Sequence, residues 1–182
     1  MLILLEPQSH QQELQQPDGQ TRLLILPDGQ PDAVGILRHL ADLAFLFSQN
    51  DVVRDTSISV IASSIDNNEW ESINLITRFV REKVVYVGDP VDTEYVTSPV
   101  VMIQNIVNDG VTYGDCDDHV LLHCSMLGSV GIRCRPVAVK LNPESPVFDH
   151  VITEVYYRGS WRDIDLCAKY SNAVNYQEKL IP

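Results

Sequence analysis

Cys116, His150 and Asp165 are the residues of this sequence whose types and spacing could do covalent chemistry together. A cysteine is nucleophilic only as the thiolate, so it needs a proton acceptor, and the acceptor in turn needs a group that holds it in place. The stretch TYGDCDDH, residues 112–119, sets Cys116 among Asp115, Asp117 and Asp118. Carboxylates beside a thiol oppose its ionisation, so the composition of this stretch argues against a reactive sulfur. The spacing argues for one. Asp115 reads as a helix N-cap and Asp118, three residues on, completes a capping-box pattern, with Gly114 supplying the turn. The carboxylates then accept orphan backbone N–H groups of the first turn instead of crowding the sulfur. Cys116 becomes the first helical residue, where the helix dipole favours a thiolate and a pKa below the free value of about 8.5 is expected.

His150 opens the strand-like run HVITEVYY and Asp165 closes WRDID. A helix start carrying Cys, then a strand carrying His, then a strand carrying Asp is a layout for thiol catalysis. The orienting acid stays open at this point. A hairpin closed at Gly159 and Ser160 puts Asp165 opposite Glu154, about 13 Å along the strand from His150, so Asp163 and Glu154 compete with Asp165 for the role. On spacing alone, a structural cysteine and a strand-edge histidine that never meet carry equal weight.

The elements that must position these residues fall in two groups. From Asp32, a helix N-cap by type, AVGILRHLADLAFLF has helical apolar spacing. VVRDTSISVIASSI fits a helix face and, by its β-branched content, a strand. NEWESINLITRFVREKV is a clearer helix, capped by Asn67 or Asn68, with Trp70, Ile73, Ile76, Phe79 and Val80 inward. Ser98 and Pro99 open a short helix reaching about Val107, and CDDHVLLHCSMLGSV runs to a stop at Gly131. RPVAVKL, HVITEVYY and WRDIDL then read as strands. Helices followed by an antiparallel sheet make an α+β fold. Residues 1–32, with PDGQ turn signals at 17–20 and 27–30, are expected to form an extended arm or hairpin, and 33–182 the domain proper.

Composition narrows the function. The chain has 182 residues and a formal net charge of −12, from 13 basic and 25 acidic side chains. Without a basic stripe, nucleic acid is not an expected partner. No apolar run is long enough for membrane insertion, and the short apolar start MLILL lacks the positive lead of a secretory signal. Four cysteines without a CxxC pair argue against a zinc site or disulfide framework, so all are expected reduced, in a chain made in the cytoplasm. His119 and His123 stand at i and i+4, a zinc-capable spacing, but no HExxH acid accompanies them; a solvated or partly buried helix face is the expectation. Three carboxylates in GDCDD diverge from a helix start and would not converge on calcium or magnesium. No cofactor and no metal are expected.

GDCDDHVLLHCSMLGSVGIRCRPVAV followed by FDHVITEVYYRGSWRDID resembles the transglutaminase-like cysteine-enzyme superfamily. The shared pattern is a helix-leading Cys, Gly-Ile and Arg after that helix, a His-x-x-x-Glu strand, and a Trp just before an Asp. With GILRHLADLAF, VVRDTSISVIAS, VVYVGDP and EYVTSP, the likeness is closest to the small transglutaminase-like proteins of tailed phages and prophages. The resemblance implies a papain-like α+β core, with Cys116 as nucleophile, His150 as base and Asp165 as orienting acid. It implies acyl transfer through a thioester: peptidase or amidase chemistry with water, or transglutaminase chemistry with an amine. It makes Tyr86 a candidate oxyanion donor beside the Cys116 N–H, and Trp161 a wall of the site. A protein or peptide substrate is implied, cell-wall peptide included. The phage likeness supports a rival role as a structural or assembly component of a tail, neck or baseplate, with virion proteins as partners and virion association as the location. Leu166 and Cys167 depart from the residues that often follow the Asp in this family.

Overall fold

The computed structural model of the chain describes residues 22–24, 33–64, 68–89, 94–167, 176 and 179–182. Of the expected N-terminal arm, only strand β1 (Arg22–Leu24) falls among them; it pairs antiparallel with β3 (Glu94–Val96). Both PDGQ signals and the Asp32 cap lie outside the described residues.

Among the described residues, five helices precede the main sheet. Helix α1 spans Ala33–Ser48 and α2 spans Asp51–Ile61, its first turn closed by the Asn50 side chain accepting from the Val52 N–H. The ambiguous VVRDTSISVIASSI stretch is therefore helical through Ile61. Only Val53 and Ser57 of α2 are buried, and β-branched residues on so exposed a helix read as a strand. Helix α3 (Glu69–Lys83) starts where Asn68 accepts from the N–H groups of Trp70 and Glu71, and buries Ile73, Ile76 and Val80 as its spacing requires. It runs straight into β2 (Val84–Tyr86). Helix α4 (Pro99–Asp109) has proline in its first turn and ends at Gly110, whose φ of 85° is the left-handed stop glycine tolerates. Strand β4 (Thr112–Gly114) pairs parallel with β2, setting Tyr86 across from Gly114.

Helix α5 (Cys116–Ser129) is the hub of the molecule. Every residue from Asp117 through Leu127 is buried, because α1, α2, α3 and α4 pack around it and a sheet closes its remaining side. At Gly128 an added Cβ would come within 3.1 Å of the Ser48 Cβ, so the missing side chain is what lets α1 and α5 run so close. Leu121, Leu122, Met126 and Leu127 are inaccessible to solvent or nearly so, each worth about 1.5–3 kcal/mol of burial. The sheet follows as expected. It comprises β5 (Cys134–Val139), β6 (His150–Tyr157), β7 (Ser160–Ile164) and β8 (Lys179–Leu180), antiparallel throughout, in the order β7-β6-β5-β8. One face joins the helical core through Val155 and Ile164; on the other, Val137, Val139 and Ile152 make a smaller cluster with Tyr176. The α+β architecture is as the sequence implied. No described helix is long and apolar enough to cross a membrane.

Candidate active site

The start of α5 is built by the capping box. The Asp115 carboxylate accepts from the Asp117 N–H at 3.0 Å, and the Asp118 carboxylate accepts back from the Asp115 N–H at 3.3 Å. The other oxygen of Asp118 takes the Thr97 N–H at 2.6 Å, which ties the loop after β3 to the nucleophile helix. Gly114 is forced by this arrangement, since a Cβ there would overlap the Asp118 carboxylate. Asp118 is held at both oxygens and cannot swing away without losing both donors. Gly114→Ala is expected to lower stability by roughly 2–4 kcal/mol through overpacking and loss of the cap, and to slow Cys116 alkylation as well. A variant with unchanged melting temperature and labelling rate would show that the box does not hold the helix start.

Cys116 is half-buried, and its sulfur lies within reach of the Val151 backbone N–H, beside His150. The turn of the β6–β7 hairpin decides what happens at His150. Arg158 and Gly159 both have positive φ (49° and 85°), the two-residue turn that matches sheet twist. Tyr157 then pairs with Ser160, Glu154 with Asp163, and Thr153 with Ile164. The turn sits one residue earlier than a Gly159–Ser160 closure, and the register moves by two. Asp165 leaves the strand just past Ile164, diagonal to His150 and not opposite Glu154. The structure brings the two together, with His150 Nε2 3.1 Å from Asp165 Oδ1. His150 is buried and the Asp165 side chain nearly so.

Asp165 is held on every side. Its Oδ1 also accepts the Cys167 N–H at 3.0 Å, its Oδ2 accepts the Tyr176 hydroxyl at 2.8 Å, and its backbone carbonyl accepts from Arg81. Burial pushes its carboxyl upward, but the His150, Tyr176 and Cys167 donors outweigh this and hold it below the usual carboxylate range. Tyr176 was not visible as a site residue in the sequence. It follows the last motif and no local pattern connects it to Asp165.

The competing acids are engaged elsewhere. Glu154 is bridged by Arg135 at 2.6 Å and Lys179 at 3.0 Å, and Lys179 also holds Asp163 at 2.6 Å. Trp161 is not near the His150 end of the strand. It pairs with Tyr156, six residues or about 20 Å along β6, where Arg133 and Arg135 stack on its ring. A Trp four residues before Asp165 belongs to the far end of a five-residue strand, so it forms no wall around the imidazole. Tyr86 is partly exposed, level with Gly114 and 6.1 Å from the His119 ring.

His119 and His123 are fully buried, not on a solvated face. The His123 Nδ1 lies 3.1 Å from the Thr153 hydroxyl and its Nε2 3.1 Å from the Thr77 hydroxyl, which itself donates to the Ile73 carbonyl. That order assigns the proton to Nε2. His123 thus links α3, α5 and β6 as a neutral group, its pKa pushed down to about 3 by burial. The two ring nitrogens of His119 face the carbonyls of Asp115 and Val84, and burial lowers its pKa too, so the neutral ring donates its one N–H to one carbonyl at a time.

The thiol runs against expectation. Burial and the Asp117 and Asp115 carboxylates push Cys116 well above an ordinary cysteine. Capping engages the Asp115 carboxylate but does not remove its proximity, and Asp117 Oδ1, outside the box, lies 3.6 Å from the Cys116 sulfur and accepts its S–H. Burial likewise raises Asp118 to about 7 and, with the neighbouring Asp89, Asp115 to about 6. These shifts predict a particular pH profile. Raised carboxyls bind protons in the fold that the unfolded chain releases between about pH 4 and 7, so they make stability fall as pH rises there. His123, lowered to about 3, does the opposite between there and the ordinary imidazole value of about 6.5, and His119, also lowered, acts in the same direction. The two pairs oppose each other, so melting temperature should change less from about pH 4 to 7 than either pair alone would dictate. Stability is lost below that range, where His119 and His123 must still stay neutral and Asp165 and Glu154 become protonated. Above it, the half-buried thiols of Cys116 and Cys134, both pushed well above the ordinary cysteine range, resist ionisation. A melting temperature climbing steadily from pH 4 to 7 would contradict the protonated carboxyls.

Comparison with known proteins agrees with this architecture. The transglutaminase-like superfamily profile matches residues 59–166, more than half of the chain. No functionally curated protein matches it by sequence. Among solved structures, a candidate protease from Parabacteroides distasonis superposes with a TM-score of 0.50 at 16% identity, covering 76% of this chain and 30% of that one. A candidate cysteine protease from Cytophaga hutchinsonii gives a TM-score of 0.49 at 20% identity, covering 78% of this chain and 44% of the other. This chain therefore spans less than half the length of either neighbour.

Proposed function

We propose that this chain, which belongs to the transglutaminase-like superfamily, is a thiol-dependent acyl-transfer enzyme with Cys116 as nucleophile, His150 as base and Asp165 as the acid that orients it. The observation that carries this reading is the His150–Asp165 pair, 3.1 Å apart at the head of β6 and next to the residue whose N–H reaches the Cys116 sulfur. With Nε2 committed to Asp165, Nδ1 is the nitrogen that serves the thiol. The Cys116 sulfur attacks the carbonyl carbon of an amide as its proton passes to Nδ1. The amine leaves with that proton, and a thioester remains. Water, activated by the same imidazole, then releases the acid. The first N–H of α5 has no carbonyl within its own helix, so the Cys116 N–H is the first oxyanion donor, with the Tyr86 hydroxyl as the second. We take water as the acceptor and a peptide amide as the substrate class.

A raised thiol pKa fits general-base attack better than a standing thiolate–imidazolium pair. The chain's phage-like resemblance leaves a virion structural role as the rival, and in that role the His150–Asp165 pair would be idle. Incubating the full chain with a thiol-directed acyl probe and mapping the adduct tests the reading. Labelling concentrated on Cys116, over Cys124, Cys134 and Cys167, is expected. Equal labelling of all four, or none, would sink it. Adding a primary amine to a peptide-amide assay separates hydrolysis from cross-linking by the product formed.

A further inference from the structure

Cys167 has no part in the chemistry above, yet it sits inside the site. Its sulfur, a ring nitrogen of His150 and a carboxylate oxygen of Asp165 all lie within 4.8 Å of one another, and Cys167 and His150 are both buried. We infer that His150, Asp165 and Cys167 form a binding site for a zinc-class divalent cation, and that occupancy switches the enzyme off. The inference rests on the proposed function, since the metal acts by taking the catalytic base.

The donor set selects the ion. Thiolate, imidazole and carboxylate together suit zinc and its neighbours, whereas magnesium and calcium want oxygen donors alone. The geometry is close to what zinc needs. With zinc–nitrogen and zinc–oxygen distances of about 2.0–2.2 Å, a tetrahedral site has ligand edges of roughly 3.3–3.5 Å. His150 Nε2 and Asp165 Oδ1 are already 3.1 Å apart. The sulfur has only to draw in from within 4.8 Å. The surroundings are those of a built site, because the Tyr176 hydroxyl on Asp165 Oδ2 would keep the carboxylate aimed as an outer partner. Binding puts the metal on Nε2, shifts the ring proton to Nδ1 so that the imidazole stays neutral, and releases the thiol proton of Cys167. With its lone pair given to the metal and its proton on Nδ1, the imidazole can no longer accept a proton from Cys116. A second close triple, Asp115, Cys116 and Asp117, is a poorer host. It has no imidazole, and the Asp115 carboxylate is already engaged at the helix cap.

The test uses the full chain freed of metal by a chelator. Titration with cobalt(II) is expected to give a thiolate-to-cobalt charge-transfer band that Cys116→Ala keeps and Cys167→Ala loses. Cys167→Ser, which preserves the side-chain volume, should lose it too. Zinc should slow alkylation of Cys116 at least tenfold in the unaltered protein and not in the Cys167 variants, while magnesium and calcium do nothing. No band in the unaltered chain, or a band that survives Cys167→Ala, overturns the inference, and a band lost only in Cys116→Ala moves the metal to the helix start and overturns it equally. Failure of the thiol-enzyme reading looks different. Metal-free Cys116 labelling would then not depend on His150, and the cobalt band would still report on the metal site alone.

Discussion

His150→Gln should reduce the rate of Cys116 acylation at pH 7 by on the order of 10⁴-fold while leaving the fold intact. The size of the effect follows from the state of the thiol. Burial and two carboxylates hold Cys116 protonated well above the ordinary cysteine range, so at neutral pH the sulfur depends on a base to remove its proton as it attacks. His150, beside the residue whose N–H reaches that sulfur, is the base at hand. Without it, hydroxide is the remaining acceptor, and the pH dependence of labelling should move to strongly alkaline values. Glutamine keeps most of the volume of a buried side chain in the sheet, so melting temperature and circular dichroism serve as controls. Cys116→Ala in the same assay should abolish the adduct. If His150→Gln labels at pH 7 as fast as the unaltered protein, Cys116 is activated by something else and the triad is wrong.

How far this site could be read from the sequence depends on whether each signal was local. The helix start was legible because a capping box is a four-residue pattern, and Asp115 and Asp118 form it as written. Helix α3 was legible because one side of it faces solvent, so Ile73, Ile76 and Val80 mark a stripe. Helix α5 has no such stripe. Packed on all sides, it buries His119, His123 and Ser125 among its leucines, and periodicity cannot tell a buried polar residue with partners from a solvated one. The hairpin shows how little error is needed to misplace a residue. Tyr-Arg-Gly-Ser allows a turn at Arg158–Gly159 or at Gly159–Ser160, and the choice moves Asp165 by two positions along β6. A left-handed Arg158, uncommon for a side chain of that size, decides it. Trp161 was misjudged because nearness to Asp165 in sequence is distance along an extended strand. Tyr176 was missed because its contacts with Asp165 and His150 cross a stretch without a motif.

Asp165→Asn should lower turnover by roughly 10³–10⁴-fold, whereas Tyr176→Phe should cost about tenfold and Glu154→Gln should cost stability but little activity. The order comes from counting donors. Three groups give protons to the Asp165 carboxylate: His150 Nε2 and the Cys167 N–H to one oxygen, the Tyr176 hydroxyl to the other. An asparagine has one oxygen and one NH₂ group, so it cannot accept all three. With its oxygen toward Tyr176, the NH₂ faces Nε2, which must then accept. The ring proton moves to Nδ1, the nitrogen that has to take the thiol's proton, and the base is blocked. With its oxygen toward His150, the Tyr176 hydroxyl meets an NH₂ group and a buried donor is stranded, at a cost of about 1–3 kcal/mol. Tyr176→Phe leaves the carboxylate able to serve His150 but frees it to rotate, so kcat should fall while KM barely moves. The acid limb of the activity profile should also shift upward, since one of the donors that hold Asp165 low is gone. Glu154 sits four residues from His150, bridged to Arg135 and Lys179, and its loss takes the carboxylate from Arg135 and leaves Lys179 with Asp163, without touching the imidazole. An Asp165→Asn enzyme within tenfold of full activity, alongside an inactive Glu154→Gln, would reverse the assignment and return the orienting role to the strand's own acid.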